Sequence, residues 1–343
     1  MHIQDQPTLN HRDSTVSFHL QANSYAKVNL FLRVGDLETT GGAIAGYHPL
    51  VSWMTTVGLA DTLRIRLQGP ASPDKAIVID CDMPGIPTDH TNIIHKAISL
   101  YQSVDRSTAG GVYVQLSKKI PAGGGLGGGS SNAAAMLLAM RNVSGDAEPR
   151  QLADMAQQLG SDVPFFLNPP SCLAQGRGEV LTPVSPPANA PWAVLMFPRG
   201  IAVNTAACYR RLDVTRAKAP PDTLELPDCA RLAAMSVDEL LAVLVNDLEP
   251  PAFSLVPELG ELRQRLQSAA RRVVRMSGSG STLFTLASGP DDASEIASRI
   301  QSEIKHLPVS VSLSICELAR HRNGVASLDD AFVPGVSRHG GLS

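Results

Sequence analysis

The sequence predicts an α+β fold divided into two domains. Its 343 residues exceed the ~150 residues of a typical single domain. Strand and helix patterns follow one another without regular strand–helix–strand alternation, which argues against a doubly wound parallel sheet. The proline-rich stretch at 183–191, PVSPPANAP, is the predicted domain boundary. We therefore expect a disordered arm at 1–18, an N-terminal domain at 19–183, a C-terminal domain at 184–320 and a mobile tail at 321–343.

The elements of the N-terminal domain are predicted from apolar runs and their periodicity. The predicted strands are 17–34, two strands within 49–67 joined by a short turn, 77–79 and 111–117. The predicted helices are 91–104, an alanine-rich helix that Ser130 and Ser131 open, and 150–159.

The C-terminal domain is predicted in the same way. Its predicted strands are 192–197, 271–276, 281–287 and 309–315, and its predicted helices are 236–248, 257–269 and 291–306. A second loop of small residues lies between the two middle strands.

The charge balance excludes two classes of partner. Lys and Arg number 29 against 32 Asp and Glu, which gives a net charge of −3. The chain therefore has no bulk basic field that would recruit nucleic acid or an anionic membrane. An anionic small molecule must instead be gathered by a local site.

The cysteines and the apolar segments predict the compartment. The five cysteines are widely spaced, without a Cys-x-x-Cys pair, which indicates reduced thiols rather than a disulfide framework or a zinc site. Residues 1–18 lack the apolar core of a secretory leader, and no segment approaches the ~18 apolar residues of a membrane span. We expect a cytoplasmic protein.

The strongest local motif is a glycine-rich segment at 121–132, with six glycines in seven positions. Glycine loses more conformational entropy on ordering than any other residue, so such a run is not a packing device. It allows backbone N–H groups to converge on a ligand, and a helix N-terminus directly after it favours an anion. The predicted phosphate cradle consists of Pro121, Ala122, Gly123, Gly124, Gly125, Leu126, Gly127, Gly128, Gly129, Ser130 and Ser131.

Three other interpretations of the glycine segment were weighed. A Walker phosphate loop is excluded because no lysine follows the glycines. Gly123, Gly125 and Gly128 match the dinucleotide fingerprint, but Asp146, about 20 residues later, lies between two predicted helices rather than at the end of a strand. A flexible hinge before a helix is the plain structural alternative.

Four motifs, in order along the chain, resemble those of the GHMP kinases, a superfamily of small-molecule kinases. They are the glycine segment, Ala26–Leu32 with Gly46-Tyr47-His48, Gly160–Phe166, and Met276–Ser281. Within that superfamily the chain is similar to the kinases that act on 4-diphosphocytidyl-2-C-methyl-D-erythritol in non-mevalonate isoprenoid synthesis. The segment between Arg33 and Tyr47 is longer than usual there, and Ser161 replaces a common alanine.

The resemblance implies two domains with the active site in the cleft between them, and it implies catalytic roles for two residues. Asp162 is the expected base, placed by the apolar chain of Pro164 to Phe166 at the edge of a wall that would desolvate it and raise its basicity. Lys27 is the expected ammonium beside Asp162 and the transferred phosphoryl group. Asn29, on the same strand face as Lys27, is expected to bind substrate.

The resemblance also assigns residues to the two ligands. Tyr47 and Tyr209 match positions that stack on cytosine, and His48 matches a residue that contacts the edge of the base. Asn92 and Lys118 match positions near adenine. The expected ligands are ATP, Mg²⁺ and the cytidine diphosphate substrate, with Ser130 or Ser131 as a possible Mg²⁺ ligand.

Two rival functions stay open at this point. One is another GHMP kinase, such as one for homoserine or mevalonate, and the other is a catalytically silent, ligand-sensing member. The chain is expected to be a monomer or a homodimer.

Overall fold

A computed structural model describes residues 17–39, 46–70, 72–73, 75–144, 148–216 and 224–327. Most of the predicted arm, the end of the predicted tail, Asp146 and residues 40–45 of the lengthened loop lie outside the described residues. Within the described ranges, strands and helices are mixed as predicted and form two sheets covered by helices. The predicted α+β class is confirmed.

The first sheet has seven strands in the described part of the chain. They are β1 (Ser17–Val34), β2 (Leu50–Gln68), β3 (Ile77–Cys81), β4 (Val112–Ser117), β5 (Ser171–Gln175), β6 (Val180–Pro183) and β11 (Gly324–Ser327). Their order is β11-β1-β2-β4-β3, and β5 pairs with both β2 and β6. All pairs are antiparallel except β3 with β4. The accompanying helices are α1 (Ile93–Val104), α2 (Gly128–Ser144) and α3 (Pro149–Leu159).

The second sheet has four antiparallel strands in the order β10-β7-β9-β8. They are β7 (Trp192–Pro198), β8 (Arg275–Met276), β9 (Leu283–Ala287) and β10 (Val311–Glu317). The helices of this half are α4 (Thr205–Arg216), α5 (Cys229–Ala234), α6 (Val237–Val243), α7 (Glu249–Leu255), α8 (Pro257–Ala270) and α9 (Pro290–Ile304).

The two sheets share part of their hydrophobic core. One cluster of buried side chains joins Val28 and Leu30 of β1 to Leu195 of β7 and Phe284 of β9. Burying each such side chain contributes roughly 1.5–3 kcal/mol. The shared cluster therefore fixes one half of the molecule against the other at the edge of the site described below.

The prediction of two strands within 49–67 was wrong. Residues 50–68 form the single strand β2, paired with β1 along its whole length. The register changes between Ala26↔Val57 and Tyr25↔Ala60, which leaves Gly58 and Leu59 as extra residues. A bulge of this kind bends a strand without ending it, so a bulge at Gly58 and Leu59 stands where a turn between two strands was predicted.

Two predicted elements of the second half are shorter than expected. The helix predicted at 236–248 ends at Val243, and Asn246 donates through Nδ2 to the carbonyls of Met276 and Gly278, both at 2.8 Å. The strand predicted at 271–276 is reduced to Arg275–Met276, because Arg271 caps α8 with a φ of 54°. The hydrogen bonds of Asn246 tie the end of the shortened helix to the loop at 276–281.

The beginning of the predicted mobile tail is ordered. Strand β11 pairs with β1, from Asn23↔Gly324 to Leu20↔Ser327. Asn323 accepts a hydrogen bond from the backbone of Tyr25 at 2.8 Å and donates to the carbonyl of Ser131 at 3.0 Å. These contacts join the end of the described chain to the helix that follows the glycine segment. Among the described residues, no helix is long and apolar enough to cross a membrane.

Candidate active site

The glycine segment links β4 to α2 and adopts conformations that only glycine tolerates well. Gly123, Gly125 and Gly127 have φ values of 70°, 77° and 67°. A Cβ on Gly125 would lie 2.2 Å from the carbonyl oxygen of Ser277, so the loop also needs glycine for close approach. The glycines were predicted to allow close approach of a ligand. Gly125 also allows close approach of a second loop, the one that contains Ser277.

Hydrogen bonds orient the peptide groups of this loop. The carbonyls of Gly124, Gly125 and Leu126 accept from Thr282 N at 3.2 Å, Ser277 Oγ at 3.0 Å and Lys27 N at 3.0 Å. Within the described chain, the N–H groups of residues 123–127 have no protein acceptor. Carbonyls held by protein and N–H groups left open are the arrangement that binds an anion.

The glycine loop forms a wall common to two cavities. The larger cavity, of about 840 Å³, is lined by residues of both halves, among them Lys27, Asp162, Tyr209 and Gly278. The smaller cavity, of about 430 Å³, is lined by Asn92, Lys118 and the loop itself. Gly123, Gly125 and Gly127 line both cavities. Two ligands could therefore meet at this loop.

Lys27 and Asp162 meet in the larger cavity, as predicted. Lys27 projects from β1 and is only 4% exposed, and its Nζ lies 3.4 Å from Asp162 Oδ2. Asn29 accepts a hydrogen bond from Lys27 Nζ at 2.5 Å and donates through Nδ2 to Ser52 Oγ at 2.8 Å. The structure thus gives Asn29 a role in orienting the ammonium, where the sequence predicted substrate binding.

The expected desolvation of Asp162 is not observed. Pro164, Phe165 and Phe166 are buried, but the Asp162 side chain keeps 37% of its exposure. The apolar residues form a short 3₁₀ turn beneath the carboxylate and do not cover it. The interaction that distinguishes Asp162 from a surface aspartate is its pairing with the buried ammonium.

His48 and Tyr209 are neighbours, with ring centroids 5.2 Å apart. His48 Nε2 lies 2.7 Å from Asp213 Oδ1 on α4. Because a carboxylate only accepts hydrogen bonds, Nε2 carries the shared proton, and Nδ1 is the ring nitrogen that remains available to a ligand. Burial, together with the charge of Asp162, raises the pKa of Tyr209 to about 12, so its phenol stays neutral at physiological pH.

Tyr47 is 52% exposed at the mouth of the larger cavity. The guanidinium of Arg177 lies over its ring, with Cζ 4.9 Å from the centroid. An exposed aromatic ring at a cavity mouth suits stacking by a flat ligand. All four residues predicted to bind substrate, Asn29, Tyr47, His48 and Tyr209, line this cavity.

Asn92 and Lys118 line the smaller cavity, but protein groups engage both side chains. Asn92 caps α1 by accepting from Ile94 N at 2.8 Å, and its amide donates to the carbonyl of Pro87. Lys118 Nζ pairs with Asp61, a carboxylate with no exposure. These side chains shape the cavity, and their predicted contact with adenine stays a prediction.

The predicted start of α2 at Ser130 and Ser131 is wrong, because the helix begins at Gly128 and both serines lie in its first turn, where their surroundings differ. Ser131 is buried and donates to Asn323 Oδ1 at 3.2 Å, whereas Ser130 is partly exposed and lines the smaller cavity.

Gly127 lies close to side chains of the larger cavity. A Cβ on Gly127 would meet the Phe166 ring at 2.9 Å and Lys27 Cγ at 3.2 Å. A larger residue at 127 would therefore displace Lys27 before it filled the space for a phosphate.

Sequence reasoning missed Asp213 and Arg177. Asp213 lies on α4. This helix has no apolar periodicity that would predict it from the sequence, because only Cys208 and Leu212 are buried on it. Arg177 stands between Gly176 and Gly178 in a tight turn. An arginine flanked by two glycines was the available signal.

Comparison with family models gives two matches. Residues 92–168 match the GHMP kinases N terminal domain, and residues 228–306 match the GHMP kinases C terminal model. The first match spans the glycine loop and Asp162, and the second contains the Met276–Ser281 loop.

Comparison with individual proteins points in the same direction. The chain is 36% identical over 278 residues to the chloroplastic 4-diphosphocytidyl-2-C-methyl-D-erythritol kinase of Arabidopsis thaliana, which covers 79% of this chain and 68% of that protein. It is 34% identical to the 4-diphosphocytidyl-2-C-methyl-D-erythritol kinase of Thermobifida fusca, over 81% of this chain and 90% of that protein. The chain spans 64% of the matched relatives from rice and mint.

Solved structures extend the likeness to the fold. The crystal structure of a 4-(cytidine 5'-diphospho)-2C-methyl-D-erythritol kinase superposes with a TM-score of 0.64 at 34% identity, over 87% of this chain and 99% of that chain. Homoserine kinase from Cytophaga hutchinsonii superposes with a TM-score of 0.65 at 18% identity, over 95% of this chain and all of that chain, and shows the fold alone.

Proposed function

We propose that this chain, which belongs to the GHMP kinases and, among them, to the 4-diphosphocytidyl-2-C-methyl-D-erythritol kinases, phosphorylates the 2-hydroxyl of 4-diphosphocytidyl-2-C-methyl-D-erythritol. Its family membership makes it an ATP-dependent kinase. The products are the 2-phosphate and ADP, in the non-mevalonate route to isoprenoids. The observation that carries the proposal is the Lys27–Asp162 pair beside the loop that both cavities share.

The smaller cavity is the proposed ATP site. The open N–H groups of residues 123–127 and the first turn of α2 face an anion with partial positive charge. The γ-phosphoryl group would then point through the shared glycines toward Lys27. Phosphoryl transfer depends mainly on positioning and charge stabilisation, which backbone groups and one ammonium supply.

The larger cavity is the proposed site of the cytidine substrate. Tyr47 and Tyr209 would stack on the cytosine ring, and His48 Nδ1 would accept a hydrogen bond from the edge of the base. The substrate hydroxyl would lie beside Asp162, whose carboxylate accepts its proton. Lys27, held by Asn29 and paired with Asp162, offsets charge on the transferred oxygens.

Mg²⁺ belongs to the proposal because it neutralises the β- and γ-phosphates of ATP when it is bound. Among the described residues, no group of three or more His, Cys, Asp or Glu side chains could hold a metal by itself. This fits an ion carried mainly by phosphate oxygens. Ser130 is the side chain that could add a ligand, because Ser131 is buried and engaged by Asn323.

We also propose that the protein works in a reducing compartment such as the cytosol, because its five cysteines are free thiols. Its proposed partners are small molecules, and its assembly, a monomer or a homodimer, stays a prediction.

Mass spectrometry tests the proposed reaction. The purified chain is incubated with ATP, Mg²⁺ and the cytidine diphosphate substrate, with a reaction lacking the acceptor as control. We expect ADP together with the substrate carrying one additional phosphate. Transfer to homoserine or mevalonate in preference to the cytidine substrate would contradict the assignment.

A further inference from the structure

Arg177 lies at the tip of the turn that joins β5 to β6. The turn is tight, because Gly176 and Gly178 on either side have φ values of 69° and 114°. The arginine side chain lines the larger cavity, where the mechanism above does not use it.

Two other basic side chains that line this cavity are paired with carboxylates. Lys27 lies 3.4 Å from Asp162, and His48 lies 2.7 Å from Asp213. Arg177 has no comparable partner within the described chain, since the nearest carboxylate oxygen, Glu179 Oε1, is 3.9 Å from its Nε. That Nε is buried without a hydrogen bond, a condition that calls for an explanation.

Glu179 is occupied by the turn itself. Its Oε2 accepts a hydrogen bond from the backbone N–H of Arg177 at 2.6 Å. A Cβ on Gly176 would lie within 3.1 Å of the same carboxylate, so the group is folded back on the turn. Glu179 therefore braces the backbone of the turn, and among the described residues it makes no hydrogen bond to the guanidinium, whose donors stay available to a ligand.

The turn lies between the two ends of the proposed substrate site. On one side the guanidinium covers the ring of Tyr47, which is the proposed platform for the base. On the other side a Cβ on Gly178 would be 3.6 Å from the carbonyl oxygen of Ser161, the neighbour of Asp162. A ligand that reaches from Tyr47 to Asp162 would therefore come close to the turn that carries Arg177.

We propose that Arg177 binds the diphosphate group that joins the nucleoside to the polyol of the substrate. The inference rests on the proposed function, because it takes a cytidine diphosphate as the occupant of the larger cavity. A guanidinium offers paired N–H donors that match phosphate oxygens, and stacking on Tyr47 holds its plane in place. Arg177 would thus distinguish a nucleoside diphosphate from a nucleoside.

Isothermal titration of cytidine and of cytidine diphosphate into the full-length chain tests this assignment. The wild type should bind the diphosphate more tightly than the nucleoside. Arg177→Gln should raise the Kd of cytidine diphosphate by roughly tenfold to a hundredfold, as expected for charge-assisted hydrogen bonds, and leave that of cytidine within about twofold. Arg106→Gln, which changes an exposed arginine outside both cavities, is the matched control.

Two further variants keep the test decisive even if Arg177→Gln folds poorly. Tyr209→Ala removes the other proposed stacking ring, whose neighbour is His48 rather than Arg177, so it should weaken both ligands by a similar factor and preserve the preference for the diphosphate. Arg210 also lines the cavity and has no carboxylate partner among the described residues, so Arg210→Gln should preserve the preference as well. Loss of the preference in either variant would overturn the role of Arg177.

The remaining outcomes separate this inference from the proposed function. A wild-type chain that binds cytidine and cytidine diphosphate equally, or an Arg177→Gln variant that weakens both or neither, contradicts the inference alone. A wild-type chain that binds neither ligand contradicts the proposed function and the inference together.

Discussion

The smaller cavity is lined mainly by the glycine segment, whereas the larger cavity has charged and aromatic side chains on its walls. Around the smaller cavity, Asn92 and Lys118 are already engaged by Pro87 and Asp61, and open N–H groups of the glycine loop are what a ligand meets. Around the larger cavity, Lys27, Asp162 and His48 face the space with their functional groups.

The difference predicts how each site can be damaged. A site made of N–H groups has no side chain to remove, so it is impaired when a new side chain fills it. A site made of side chains is impaired when one of them is truncated or neutralised. Filling should therefore impair the smaller cavity, and truncation or neutralisation should impair the larger one.

The largest effect is expected from Asp162→Asn in the larger cavity. The change keeps the size of the side chain and removes the basic carboxylate, so kcat should fall by about 10²–10⁴ while the Kd of both ligands is largely kept. Steady-state kinetics with the cytidine substrate measure it. Asp154→Asn, an exposed aspartate on α3, is the control. A near-native rate would mean that the hydroxyl loses its proton elsewhere.

Lys118→Met tests whether the lysine beside the smaller cavity supports the fold. It leaves the fully buried carboxylate of Asp61 without its counter-charge, so the free energy of unfolding should fall by about 3 kcal/mol or more. Urea denaturation measures the change in unfolding free energy. Lys119→Met, which alters the exposed neighbouring lysine, is the control. Normal stability with a raised Kd for ATP would instead support the contact with adenine.

Gly129→Leu should fill the smaller cavity. A Cβ at this position, in the first turn of α2, meets only Ile93 Cγ2 at 3.8 Å, so the protein tolerates the new side chain. Its overlap with the nucleotide should cost roughly 1–3 kcal/mol of ATP binding. Titrations with ATP and with cytidine diphosphate, and with Gly129→Ala as the smaller step, measure it. Equal weakening of both ligands would show that the cavities are not separate.

Tyr47→Ala truncates the platform of the larger cavity. Loss of base stacking should weaken binding of the cytidine substrate by roughly 1–3 kcal/mol and raise its KM accordingly. We expect a free-energy loss near the lower bound, because the ring is half exposed. The Kd of ATP should hardly move. Tyr113→Ala is a matched control, since Tyr113 also carries an arginine over its ring and lines neither cavity. If ATP binding weakened equally, Tyr47 would be a structural residue.

The glycine loop and the buried lysine at position 27 could be predicted because each depends on local sequence. The run at 123–129 admits few uses other than close backbone approach, and Lys27 is a cation within an apolar strand. The α+β class followed from the order of periodic segments. The position of Asp162 relative to Lys27 came from the resemblance and was then found in the structure.

Features that depend on distant parts of the chain could not be predicted. The pairing of Lys118 with Asp61 joins residues 57 positions apart, and that of His48 with Asp213 joins residues 165 positions apart. Gly58 looks like a turn residue in isolation and becomes a bulge only because both flanks of β2 pair with β1. Exposure of Asp162 depends on how its turn packs, which no local pattern specifies.

We propose that Lys27 and Asp162 act as one unit at the junction of the two cavities. Single-turnover rates of Lys27→Ala, Asp162→Asn and the double variant, measured with saturating ATP and cytidine substrate, test it most directly. Each single change should lower the rate by about 10²–10⁴, and the double variant should be little slower than either, because both changes disable the same proton and charge arrangement. Losses that multiply in the double variant would contradict the claim and show that the two residues act independently.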